Sequence, residues 1–383
     1  MTDLSAPPSP IPLPAPLGVL YVLKTVGFIL HVIPMNLWCA GVPLAVALWV
    51  TGQRSADAWP RRFLAQVPFF LAFGINAGIV PLLFTQVVYH HVFYPATILM
   101  AWFWFAVIPL LLTAYVASYR VADEVRSDQA RPARLVLWSV IAWVCLWCIG
   151  FLFANAFSLM VRPDRWAHLA EQHGSSGAVF GTALNTADPA MWARWLVMLA
   201  LALTTTAWHP IADRLLRRQE PNDRGELSIA TVTYLAGAMF FAVAGTWYAF
   251  GTWPPAVREQ MLAIPLLPLT VATALAPAVP AGIVLWMRFL SGDARKLAWV
   301  GIAAQAAVVA LNAISRQVVQ HLELSAFGLI RPRPIAFELW PVAVFLLAAL
   351  IGGSVVVVFL RMAYTSWSAA GSMTAEGSVD TAG

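Results

Sequence analysis

The chain has 383 residues, 60% of them hydrophobic and 11% charged, with a mean hydropathy of +0.74. A water-soluble domain carries about a quarter charged residues, so that class is excluded. The 23 Lys and Arg against 18 Asp and Glu leave a basic excess, but it is scattered through short connections and forms no stripe, which excludes nucleic acid as a partner.

Residues 1–17 hold six prolines, from Pro7 to Pro16, and no Lys or Arg. Without the positive head of a cleaved signal peptide, they read as a disordered leader. Residues 18–363 then read as one transmembrane helical domain. Apolar runs lie near 20–50, 64–90, 96–119, 134–160, 190–208, 227–251, 261–289, 296–315 and 335–361. Each reaches the roughly twenty residues that cross a hydrocarbon core, so the expected fold is an all-α integral membrane protein with nine spans in contact with lipid. The chain is too apolar for an outer-membrane barrel, and its 18 Trp, 21 Phe and 8 Tyr suit interfacial anchoring. The third run has no carboxylate. In the fourth, Cys145 and Cys148 are followed by Ile149 and not by the His of covalent haem attachment, and read as two small residues on one packed helix face. Pro265, Pro268, Pro277 and Pro280 demand kinks or a break in the seventh. Residues 364–383 read as a disordered cytoplasmic tail.

Basic residues in alternate connections number 15 on one side and seven on the other, with Lys24 inside the first run. The richer side stays in the cytoplasm. This places the N-terminus outside and the C-terminus in the cytoplasm, which requires an odd number of spans.

Ionisable residues at membrane depth are expensive, so each is a functional candidate. His31 lies about ten residues into the first run. A neutral imidazole there suits axial ligation of haem iron, and it equally suits a hydrogen bond to a neighbouring helix. His90 and His91 close the second run at its outer end, His168 and His173 fall in the long connection after the fourth, and His321 lies in the outer loop after the eighth. Only His209 is cytoplasmic, so six of seven histidines share the outer half. Arg316 can bind an anionic group such as a haem propionate, meet a quinone carbonyl, or reach lipid phosphate. Gly74 and Gly78 form a small-xxx-small face for close helix packing.

These segments resemble subunit I of the cytochrome bd quinol oxidase superfamily. Leu30-His31-Val32-Ile33-Pro34-Met35-Asn36-Leu37-Trp38 is similar to the family's Tyr-His-Phe-Leu-Phe-Val-Pro-Leu-Thr, in which His binds a high-spin haem. Ala77-Gly78-Ile79 resembles Thr-Gly-Ile, Phe153-Ala154-Asn155-Ala156-Phe157 resembles Val-Ala-Asn-Gly-Trp, and Gly237-Ala238-Met239-Phe240 and Trp247-Tyr248 match Gly-Ala-Met-Phe and Trp-Tyr. Arg316-Gln317 is similar to the centre of Gly-Arg-Gln-Pro-Trp, with Ser315 and Val318 beside it. The order of helices covers most of the chain. The Glu site on the third helix is absent, the Gln-Phe-Gly-Thr-Asn signature is reduced to Gln86, Val197, Met198 and Ser228 stand where the low-spin haem His is sought, and a short turn near Trp253-Pro254-Pro255 replaces the quinol loop.

The resemblance implies nine helices with the N-terminus outside, and a divergent subunit in the bacterial inner membrane. Its implied function is electron transfer through haem b between quinol and a periplasmic or fused c-type cytochrome, without the family's usual oxygen reduction. Its implied site is His31 as the iron ligand, His90, His91 or His321 as alternative ligands, and Arg316 on a propionate. Two other functions stay open: a haem-free anchor of a respiratory complex, and a transporter, to which the proline-broken seventh run points.

Overall fold

The computed structural model describes residues 12–53, 58–127, 131–290, 292–330 and 333–336, and scattered helical residues between 339 and 358. In chain order its helices are α1 (Leu17–Val50), α2 (Trp59–Leu99), α3 (Ala101–Arg126), α4 (Pro132–Met160), the short α5 (Trp166–Gln172), α6 (Pro189–Leu216), α7 (Arg224–Thr252), the short α8 (Pro255–Leu262), α9 (Leu267–Met287) and α10 (Arg295–Ala326). All but α5 and α8 are long and apolar enough to cross a membrane, which gives eight such helices among the described residues. The protein is an all-α, multi-pass membrane protein. These eight correspond to the first eight apolar runs; the ninth, 335–361, lies largely outside the described residues, as do residues 1–11 of the leader and the tail.

Two boundaries differ from the hydropathy reading. Helix α2 continues past His90 and His91 to Leu99, with non-helical backbone at Tyr89 (φ −118°, ψ 24°) marking a kink. Helix α10 continues past residue 315 to Ala326, so His321 is helical and not in a loop. Neither Pro nor Gly interrupts residues 302–327; Gln317, Gln320 and Glu323 are good helix formers at a spacing of three, and the helix stops where Gly328 takes φ +65°. Hydropathy fell there, but helical propensity did not.

Two layers of four helices make the bundle. In one, α1 packs on α2, α2 on α3 and α3 on α4; in the other, α6 packs on α7 and α9 on both α7 and α10. Helix α1 joins them by touching α6 and α10, and α4 also meets α6. The close approach of α1 to α2 follows from small residues facing bulky ones. A Cβ on Gly27 would lie 2.8 Å from Val80, one on Gly78 2.7 Å from the His31 ring, and Gly74 faces Pro34 at 3.5 Å. Three successive contacts therefore run antiparallel along the pair, the membrane pattern in which missing side chains let backbones approach.

Within α1, residues Leu37–Gly41 form a π-turn just before Pro43. Proline has no N–H to give, and the Cys39 carbonyl accepts the Trp143 indole N–H from α4 at 2.8 Å. The proline-rich seventh run, 261–289, begins at the end of α8 and is broken before α9, and α9 itself turns at Ala276-Pro277. There the Tyr234 hydroxyl donates to the Pro277 carbonyl at 3.1 Å, so the break is satisfied inside the protein.

At the face where α1 begins, Leu13 forms a backbone bridge with residues 334–336, donating to the Pro334 carbonyl at 2.9 Å and accepting from Ala336 N–H at 3.1 Å. The connection after α4 holds α5 and a two-stranded hairpin, Gly174–Ser175 with Ala178–Val179, and is tied down by Arg162 on Asp164 and Asp188. At the opposite face Arg62 bridges Asp213 at 2.5 Å and Glu226 at 2.8 Å, locking α2 to α6 and α7. His209 belongs to this lock: Trp59 Nε1–H donates to its Nδ1 at 3.0 Å, and its Nε2 meets the Gln66 amide oxygen at 3.3 Å.

Candidate functional site

The junction of the two layers is not filled. A cavity of about 270 Å³ lies between α1, α2, α4 and α10, and a second of about 410 Å³ lies between α6, α7, α9 and α10. Ala154, Phe157, Met198, Arg316 and Gln320 line both, so the two are neighbours separated by those side chains. Each is within or near the range of small-molecule pockets, about 300–1,000 Å³.

From α1 the first cavity receives Lys24, Phe28, His31, Met35 and Trp38. Their spacing of i, i+4, i+7, i+11 and i+14 is one face of a helix. His31 is held against α2 by the Gly78 gap, and its Nδ1 lies 2.7 Å from the Gly74 carbonyl oxygen. A carbonyl only accepts, so Nδ1 carries the proton and donates it. Nε2 is left with its lone pair on a ring that lines the cavity, and no neighbour among the described residues takes it. The backbone bond sets both the tautomer and the orientation of the ring.

Arg316 projects from α10 between two aromatic rings, with its guanidinium carbon 4.5 Å from the Phe28 centroid and 5.2 Å from that of Phe157. Cation–π contact holds it in place. Its N–H groups have no acceptor among the described residues. Lys24, 6% exposed, donates to the Gln317 amide oxygen at 2.7 Å and to that of Gln320 at 2.5 Å. Its ammonium also lies 4.8 Å from the Tyr89 ring centroid.

The second cavity contains an ion pair. Arg194 of α6 bonds Glu323 of α10, which is 6% exposed, and donates to the Tyr248 hydroxyl at 3.2 Å. Phe250 and Val271, both largely exposed, edge this cavity, so it opens toward the apolar outer surface of the bundle.

The structure thus brings His31 and Arg316 to one cavity. His90, His91 and His321 do not line either. His91 Nε2 lies 3.0 Å from the Leu329 carbonyl, His90 packs edge-on against His91, and His321 Nδ1 is 2.9 Å from the Tyr21 hydroxyl. Sequence reasoning passed over Lys24 as a site residue, although its i, i+7 relation to His31 was readable. It also took Gly74 and Gly78 as packing residues only. They do pack, and the carbonyl of one and the missing side chain of the other also hold the His31 ring.

The chain matches no protein-family model and no curated protein. Among the described residues no three of His, Cys, Asp and Glu gather as a metal-ion site. A porphyrin makes a different demand, since its own nitrogens occupy four positions on the iron and the protein supplies only the axial ones. His31, with Nε2 free in an apolar cavity, meets that demand, and the thioethers of Met35 and Met198 line the same space.

Proposed function

We propose that this chain is a haem-bearing membrane subunit of a bd-oxidase-like respiratory electron-transfer complex. In this reading the ninth run is a ninth span, the N-terminus lies outside and the C-terminus in the cytoplasm of a bacterial inner membrane. Electrons pass between quinol and a periplasmic or fused c-type cytochrome, without the oxygen reduction usual for that family.

The observation that carries the reading is the His31 ring, tied through Nδ1 to the Gly74 carbonyl with Nε2 unclaimed in an apolar cavity. His31 would hold the haem iron through Nε2, and the Gly74 carbonyl, which accepts from Nδ1, would keep the ring in that tautomer and raise its basicity. Haem b, when bound, supplies a one-electron carrier whose potential is set by axial ligand, hydrogen bonding and burial. Apolar walls and the Phe28 and Phe157 rings surround the space. The second cavity, edged by exposed apolar side chains, suits the head of a lipid-soluble quinol, with Glu323, Arg194, Tyr248 and Arg316 among its polar groups. No acid from α3 lines either cavity, in keeping with electron transfer as the chemistry.

The test is a dithionite-reduced minus oxidised spectrum of the purified protein, with pyridine haemochrome quantitation. We expect a b-type signal that His31→Ala removes while the protein remains folded. A protein without a Soret band refutes the reading, and haem content unchanged in folded His31→Ala supports the haem-independent anchor instead.

A further inference from the structure

Resting on the quinol reading of the second cavity, the polar groups there distinguish the two redox forms of the head. Among the described residues four charged side chains line it: Arg194 from α6, Arg258 from α8, and Arg316 and Glu323 from α10. Arg194 bonds Oε1 of Glu323 and the Tyr248 hydroxyl, and Arg258 donates to the Phe250 carbonyl at 3.3 Å. Two groups keep unused capacity. Oε2 of Glu323 receives no hydrogen bond among the described residues, although a carboxylate has about four lone-pair sites to fill. The guanidinium of Arg316 is held by the Phe28 and Phe157 rings and has no acceptor among the described residues. The paired, ionised Glu323 can only accept a hydrogen bond, and Arg316 can only donate one.

Asn312, Arg316, Gln320 and Glu323 line the cavity from one face of α10, at i, i+4, i+8 and i+11. Arg316 and Glu323 thus stand roughly 10.5 Å apart along the axis. A 1,4-quinol has one hydroxyl at each end of a six-membered ring, and with a hydrogen bond of about 2.8 Å at either end it spans a comparable length. The head therefore fits lengthwise along α10, with one oxygen at each residue and the tail leaving past the exposed Phe250 and Val271. At the Arg316 end the redox forms are equivalent, since hydroxyl and carbonyl oxygens both accept. At the Glu323 end they differ: a quinol hydroxyl donates to the carboxylate, whereas a quinone carbonyl sets its lone pairs against it. We infer that Glu323 makes the second cavity selective for the reduced head, with Arg316 anchoring both forms. The cavity is then a quinol-oxidising site that holds its substrate and releases its product.

Full-length protein is titrated under argon with a short-tailed ubiquinol, the matching quinone and the quinol dimethyl ether, followed by quenching of tryptophan fluorescence, since Trp253 lines the cavity. The quinol should bind about tenfold more tightly than the quinone or the ether, the worth of one hydrogen bond to a charged group. Glu323→Gln keeps the shape without the charge and should bring quinol and quinone to within about threefold of each other. Arg316→Gln should weaken both about tenfold and keep the preference. The ether comparison uses the unaltered protein, so it decides the matter even where Glu323→Gln folds poorly. Equal binding of quinol, quinone and ether by the unaltered protein overturns this inference and spares the quinol site, as does a preference that survives in folded Glu323→Gln. Failure of all three to bind overturns the inference together with the quinol reading.

Discussion

Gly78→Ala is the sharpest perturbation of the site, because it adds one methyl group and no chemistry. The new Cβ would lie 2.7 Å from His31 Nδ1 and 2.9 Å from Cε1, well inside the optimal separation of about 3.5–4.0 Å. The helices cannot simply part, since Gly27 against Val80 and Pro81 on one side and Gly74 against Pro34 on the other hold them together. The ring must turn, giving up its 2.7 Å bond to the Gly74 carbonyl. A lost hydrogen bond is worth about 1 kcal/mol and residual overpacking about 1–2 kcal/mol. Together they predict about 2–3 kcal/mol, or a roughly 30- to 150-fold fall in affinity for iron porphyrin. The assay is Soret titration of haem-stripped protein, with Tm read from tryptophan fluorescence. Replacing Gly by Ala inside a helix returns up to about 1 kcal/mol of propensity, so Tm should fall little. Two controls separate site from scaffold. Gly282→Ala, inside α9 with nothing within 4 Å, should leave affinity unchanged and raise Tm slightly through propensity, whereas Gly301→Ala drives a methyl into the Trp208 ring and should lower Tm while leaving affinity intact. Unchanged affinity in Gly78→Ala, or an equal loss in Gly301→Ala, refutes the reasoning.

Other consequences can be measured in the same way. Arg62→Met leaves Asp213 buried without its cation and Glu226 with only the more distant Arg214, 3.8 Å away, and should lower stability by about 3 kcal/mol, seen as a large Tm drop with haem content per folded protein unchanged. Trp143→Phe removes the donor to the Cys39 carbonyl beside the Pro43 π-turn and should cost about 1 kcal/mol; no change in Tm would show that water or a neighbour replaces the indole. Burial pushes the Asp164 carboxyl up, but hydrogen bonds and charge from Arg162 outweigh it and hold the group below the usual carboxylate range. A depressed folded value contributes stability that is full above the unfolded value, about 3.9, and is lost as pH falls through the folded one. Protection factors in residues 163–188, taken relative to intrinsic exchange at each pH, should therefore be flat near neutrality and fall only below about pH 4, and Asp164→Asn should remove that acid-dependent step.

Much of the scaffold was legible because a bilayer leaves the chain few choices. Backbone groups in hydrocarbon must bond within their own segment, so apolar runs near twenty residues long announce helices. What hydropathy could not give was where helices extend beyond those runs. Residues 316–326 are polar enough to read as a loop, yet they lie against Lys24, Tyr21 and Tyr89 inside the bundle. The polar side chains of Arg316, Gln317, Gln320 and Glu323 face the cavities, not solvent, and a one-dimensional average does not distinguish the two. His31 was found because a lone imidazole in an apolar helix is conspicuous. Its neighbours were harder to find: the partner of Nδ1 is a backbone carbonyl, which has no sequence signature, and the space for the ring is a side chain that is absent.

Lys24 shows how far the local pattern could have gone. Counted only as a charge, it fell between the inner and outer sets and contributed nothing to topology. Placed on the helix, it shares one face with Phe28, His31, Met35 and Trp38, and the structure shows that whole face lining the cavity. A cation, an aromatic, an imidazole, a thioether and an indole at this spacing form a graded surface, charged near the start of α1 and apolar deeper in. The cavity face of α1 is therefore legible from spacing alone once Lys24 is placed on the helix instead of being counted as a loose charge.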